Sequence, residues 1–140
     1  IKSDNVRNMI IICDDNPVFG EKLKNILEKK YSGDIFYLSG CADTVIFLDE
    51  LKQKEKFPRA IFMDLMMPVL DGYQCLKKIN KDFPPIPVIG MTSGTDANPG
   101  INGEYAGELF REHISAVFIK SHDVKKLTKY INAIQTIWIN

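Results

Sequence analysis

At 140 residues the chain has the length of one domain, and its 45% hydrophobic content is ordinary for a globular protein. Its 18 basic and 18 acidic residues cancel to a formal charge of zero, and the basic residues are spread along the chain, which speaks against direct nucleic-acid binding. The longest apolar runs, such as Met9–Cys13, are far too short to span a membrane. With no charged segment leading into an apolar stretch, no signal peptide is expected, and the cytoplasm is the expected location.

Polar Ile1–Arg7 is expected to be a flexible lead-in to a domain over 8–138. Met9–Cys13 is the first expected strand. Asn16 then supplies an N-cap with Pro17 at the first helical position, and Phe19, Leu23, Ile26 and Leu27 carry a helical pattern to Lys30. Ile35–Leu38 is the second strand, followed by a helix over about 42–54 with Val45, Leu48 and Leu51 inward. Arg59–Met63 is the third strand, and Asp71 caps a helix carrying Tyr73, Leu76 and Ile79. Pro87–Met91 is the fourth. The glycine-rich stretch 93–103 is expected as loop, and a short helix is expected over 104–112. The fifth strand is 116–119. A last helix runs from its cap Asp123 through Val124, Leu127, Ile131, Ile134 and Trp138. Five short apolar strands alternating with five helices predict an α/β doubly wound fold with a parallel sheet.

Open parallel sheets bind ligands at the carboxyl ends of their strands. Asp14 and Asp15 follow the first apolar run, Asp64 the third, Thr92 the fourth and Lys120 the fifth, so these polar residues are expected to converge on one edge. Three carboxylates, a hydroxyl and an ammonium suit a hard cation together with a phosphoryl group. Magnesium favours oxygen ligands and retains several waters, and Asp15 and Asp64, helped by Asp14, could supply its carboxylates. Asp64 has the additional chemistry of a carboxylate nucleophile, with the metal and Lys120 neutralising charge on the transferred oxygens.

With these residues in order, the chain resembles the receiver domain of two-component response regulators over roughly residues 8–138. The resemblance is carried by Asp14-Asp15, by Asp64-Leu-Met-Met-Pro68 with Asp71-Gly72, by Thr92-Ser93 and by Lys120. It implies a flavodoxin-like sheet of order 2-1-3-4-5. It also implies phosphorylation of Asp64 by a sensor histidine kinase or histidine phosphotransfer protein, with magnesium as cofactor. Asp15, Asp64 and the backbone carbonyl of Met66 are then metal ligands, Asp14 supports the metal through water, Thr92 bonds a phosphoryl oxygen and Lys120 pairs with it. On this reading the chain is a signalling domain rather than an enzyme, and a homodimer is the oligomer to consider.

Two positions depart from the family pattern: Ser121 stands where proline usually follows the lysine, and Val117 stands where the switch aromatic usually lies, with Phe118 on the opposite strand face. They keep open an alternative, a degenerate receiver that acts as a phosphorylation-independent interaction module. Two other readings fit less well. Haloacid-dehalogenase-type phosphatases need a second aspartate where Met66 stands, and flavodoxins need a Ser/Thr/Gly-rich phosphate loop where Asp14-Asp15 stands. The three cysteines, Cys13, Cys41 and Cys75, are odd in number and lack paired or metal-type spacing, so they are expected to be small buried hydrophobes in a reducing compartment. His113 and His122 lack ligand-spaced partners and are expected to be exposed.

Overall fold

A computed structural model describes residues 9–67, 72–93 and 114–139. Five parallel strands, β1 (Met9–Cys13), β2 (Asp34–Leu38), β3 (Ala60–Asp64), β4 (Val88–Thr92) and β5 (Ala116–Ile119), form one sheet in the order β2-β1-β3-β4-β5. The helices are α1 (Pro17–Lys30), α2 (Cys41–Gln53), α3 (Gly72–Asp82) and α4 (Val124–Ile134), followed by a single turn, α5 (Thr136–Ile139). The doubly wound architecture is the one expected, but the described residues hold four full helices, not five. The helix expected over 104–112 lies outside them, as do the 1–7 segment, Asp71, most of the 93–103 loop and His113.

The central strands β1, β3 and β4 are buried along their whole length, which is why they read as unbroken apolar runs rather than alternating ones. Successive side chains leave a strand on opposite faces, and the core accordingly divides in two. Ile11, Cys13, Ile61, Met63 and Val88 pack with Leu48 and Leu51 of α2 and with Cys75, Leu76 and Ile79 of α3. On the other face Ile10, Ile12, Phe62, Ile89 and Met91 pack with Phe19, Leu23 and Leu27 of α1 and with Leu127 and Ile131 of α4. The first helix starts where its sequence says it should: Asn16 accepts hydrogen bonds from the Val18 and Phe19 N–H groups, with Pro17 at the first helical position.

Three details differ from the sequence expectations. The last helix is not continuous to Trp138; it ends at Ile134, and Trp138 is carried on the separate turn α5, buried with its ring 5.5 Å from Phe62. Val124 is exposed although it follows the inward spacing, because periodicity identifies a helix face but not how much of that face its neighbours cover. Third, Cys41 at the start of α2 and Cys75 in α3 form a disulfide, with Cα atoms 5.8 Å apart, while Cys13 is free and buried. The expectation of three unpaired thiols therefore fails for two of them. The paired residues are 34 positions apart on neighbouring helices, a separation that carries no local signal.

Burial and the nearby carboxylates push the free Cys13 thiol up to about 12, so it is inert at neutral pH. Thiol titration of oxidised protein is expected to find no reactive cysteine in the native state, one after denaturation, and three after denaturation with reduction. A count of three without reductant would exclude the disulfide. Opening a bridge that closes a loop of this length is expected to lower stability by about 4 kcal/mol in the chain-entropy account, read from urea unfolding with and without reductant.

Candidate functional site

The strand ends bring the site together. Asp14 follows β1, Asp64 is the last residue of β3, Thr92 the last of β4, and Lys120 follows β5. Backbone bonds beyond the ladders lock these ends in register: Asp14 N–H donates to Leu38 O at 3.1 Å, Leu65 N–H to Met91 O at 2.8 Å, and Lys120 N–H to Thr92 O at 2.7 Å. The site residues thus inherit the alignment of the sheet.

Asp14, Asp64 and Thr92 are almost wholly buried. The Lys120 ammonium lies between the two acids, 2.9 Å from Asp14 Oδ2 and 3.4 Å from Asp64 Oδ2. It also sits 4.8 Å above the centre of the Phe19 ring, a cation–π contact that gives an ammonium a third attractive neighbour. The side chain is 10% exposed, so Lys120 is not the solvated strand-end lysine that its position alone would suggest. Asp64 Oδ1 accepts the Met66 N–H at 3.0 Å, and Asp14 Oδ1 accepts the Asn16 N–H at 2.8 Å. These two short turns fix the carboxylate directions.

Asp15 is exposed, yet one carboxylate oxygen from each of Asp14, Asp15 and Asp64 lies within 4.8 Å of the others. Desolvation, followed by a hydrogen bond and charge repulsion from Asp64, raises the Asp15 carboxyl above its ordinary range. Desolvation likewise raises Asp64, with Asp14 adding to the effect and the Met66 N–H and Lys120 opposing it. Three carboxylates facing one ammonium leave a formal excess of two negative charges. The Lys120 ammonium spans the Asp14 carboxylate, 2.9 Å from Oδ2 and donating to Oδ1 at 3.2 Å. A cluster of hard oxygen donors with uncompensated charge fits a divalent cation of the magnesium type.

A family model for the response regulator receiver domain matches residues 10–132. The chain belongs to the response regulator receiver family. PilH of Pseudomonas aeruginosa is 32% identical over 127 residues, covering 89% of this chain and 95% of that protein. Among solved structures, the phosphorylated cyanobacterial phytochrome response regulator RcpA superimposes with a TM-score of 0.77 at 19% identity, covering 96% of this chain and 95% of its own. The receiver domain of the Arabidopsis thaliana histidine kinase CKI1, solved with Mg2+, gives 0.73 at 20% identity, covering 96% and 95%. At these identities the two structures support the fold of this receiver and not its residue roles. No described helix of the receiver is long and apolar enough to cross a membrane.

The three aspartates and Lys120 come together as expected. Thr92 occupies the same edge one residue past Met91, the pairing partner of Asp64. His122 is exposed as expected, but it is engaged: its ring meets Phe19 edge-on at 5.9 Å, and Lys22 Nζ lies 3.0 Å from its carbonyl. The sequence places Phe19 on the inward stripe of α1 but gives no sign of its second role, because a buried aromatic looks the same whether or not an ammonium rests on its ring.

Because the folded state holds protons on Asp15 and Asp64 more tightly than the unfolded chain does, the stability from these groups is full below the ordinary carboxylate range. It falls as pH rises through their raised values. In the absence of divalent ions, Asp15→Asn is therefore expected to melt a few degrees higher than wild type at neutral pH, with the difference shrinking in acid. Magnesium is expected to stabilise wild type more than the variant, and this advantage should also fade in acid. Thermal melts across pH with and without magnesium read both effects; identical shifts in the two proteins would count against a cation at this cluster.

Proposed function

We propose that this receiver is the phosphoacceptor of a two-component phosphorelay, with Asp64 accepting a phosphoryl group from the phosphohistidine of a sensor histidine kinase or histidine phosphotransfer protein. The observation that carries the proposal is the environment of the Asp64 carboxylate: buried at a strand end, held on one oxygen by the Met66 N–H and faced on the other by Lys120. An Asp64 oxygen forms the new O–P bond as the donor N–P bond breaks, and the leaving imidazole takes up a proton. Lys120, which faces Asp64, would pair with the transferred phosphoryl oxygens, and Thr92, at the end of β4, would donate its hydroxyl to one of them.

Asp15, Asp64 and the Met66 carbonyl would hold a magnesium ion, with Asp14 acting through water. When bound, the ion supplies positive charge at the transferring oxygens, which is most of what phosphoryl transfer needs. No catalysis beyond the receiver's own phosphorylation and dephosphorylation is proposed. Contact with nucleic acid or membrane is not part of the function, and a homodimer is compatible with it. The proposed location is the cytoplasm.

The complete set of acids, hydroxyl and lysine favours this reading over a phosphorylation-independent interaction module. Incubation with a small acyl phosphate and magnesium is expected to add one phosphoryl group to wild type and none to Asp64→Asn, as read by intact mass. Equal labelling of the variant would overturn the assignment of Asp64. Failure of wild type to bind beryllofluoride with magnesium would favour the interaction module.

A further inference from the structure

Tyr37 has a place in this geometry that its sequence position does not suggest. It lies on β2 opposite Ile12 of β1, and its partly buried ring packs into the core between the sheet and α1. Its hydroxyl reaches past the end of β1 and donates a 2.6 Å hydrogen bond to the backbone carbonyl of Asp14. The Asp14 N–H is at the same time bonded to Leu38 O. Both backbone polar groups of Asp14 are therefore tied to successive residues of β2.

The ring can lie there because of Gly20. This residue is in the first turns of α1, and a Cβ built on it would overlap Cε1 and Cδ1 of Tyr37. Any other residue at 20 would have to displace the ring, and the hydroxyl with it. Glycine weakens a helix interior relative to alanine, and here that weakness coincides with the close approach of an aromatic side chain to the bare helix backbone.

The consequence falls on Asp15. Its exposed carboxylate hangs between Asp14, anchored through both backbone groups, and Asn16, whose N–H is held by Asp14 Oδ1 and whose side chain caps α1. The Asp14–Asp15 peptide plane sets the direction in which the Asp15 side chain leaves the backbone, and the Tyr37 hydroxyl holds the carbonyl of that plane. We propose that Tyr37 is a positioning residue for divalent-cation binding, aligning the Asp14–Asp15 turn through its hydroxyl, and that Gly20 is the opening that admits its ring. This rests on the phosphoacceptor reading above and adds to it a residue pair outside the acidic cluster.

The test is a magnesium titration of wild type, Tyr37→Phe, Gly20→Ala and the double variant, with Asp15→Asn as reference. Two quantities are read: the melting temperature without a phosphodonor, and the initial rate of phosphorylation by a small acyl phosphate. Tyr37→Phe keeps the ring and loses only the hydroxyl. Its half-saturating magnesium concentration is expected to rise roughly two- to tenfold in both readouts, the equivalent of one neutral hydrogen bond, while the rate at saturating magnesium stays at the wild-type value. Gly20→Ala is expected to shift in the same direction, and the double variant to shift less than the two singles combined, because both act through one bond. An unchanged half-saturating concentration in Tyr37→Phe, even with a lowered melting temperature, would reduce Tyr37 to a packing residue and overturn the inference. A wild type that shows no response to magnesium, and no difference from Asp15→Asn, would instead overturn the phosphoacceptor reading and this inference with it.

Discussion

The Lys120 ammonium, wedged between Asp14 and Asp64, is the interaction on which the rest of the site depends. Two carboxylates withdrawn from water at neighbouring strand ends repel one another and lose hydration. The cation between them offsets that repulsion, and at Asp64 it opposes the upward push of burial. It does not complete the neutralisation, because Asp15 adds a third negative charge within reach. The site is thus left short of positive charge and open on the Asp15 side, where a hydrated divalent ion can enter. A lysine that balanced the acids fully would leave no drive to bind one.

That balance requires strand ends that do not slide. The sheet supplies this through burial on both faces, since slipping a central strand by one residue would exchange the apolar sets of the two core layers. It is reinforced by the backbone bonds that bridge residues 14 to 38, 65 to 91 and 120 to 92. Phe19 links the core to the charge cluster: it is buried in the layer formed by α1 and α4, yet its ring lies beneath the Lys120 ammonium and beside His122. Phe19 thus gives α1 a direct contact with the lysine that involves none of the acids.

Position 117, where the family pattern places an aromatic, carries valine. Val117 packs on the α2–α3 side of the sheet, whereas Phe118 points to the other side, between Phe62 at 6.3 Å and Tyr130 at 5.7 Å. The aromatic next to the switch position is thus committed to the core that holds α4 and Trp138.

Much of this protein was legible in its sequence because the informative signals are local. Each strand is a short apolar run, α1 announces itself through Asn16 and Pro17, and the site residues fall at strand ends where a parallel sheet gathers ligands whatever its helices do. Asp14, Asp15, Asp64 and Lys120 needed only their position after a strand to be placed together. The sequence could not decide what depends on two distant segments meeting. The Cys41–Cys75 bridge, the seat of Lys120 on Phe19 and the fit of Tyr37 against Gly20 each join residues on different elements, and no spacing rule connects them. The exposure of Val124 and the break before Trp138 belong to the same class, because how far a helix face is covered is set by the elements packed against it. Local periodicity determined which elements form; tertiary packing decided which side chains share a surface, and with them the finer control of the charged site.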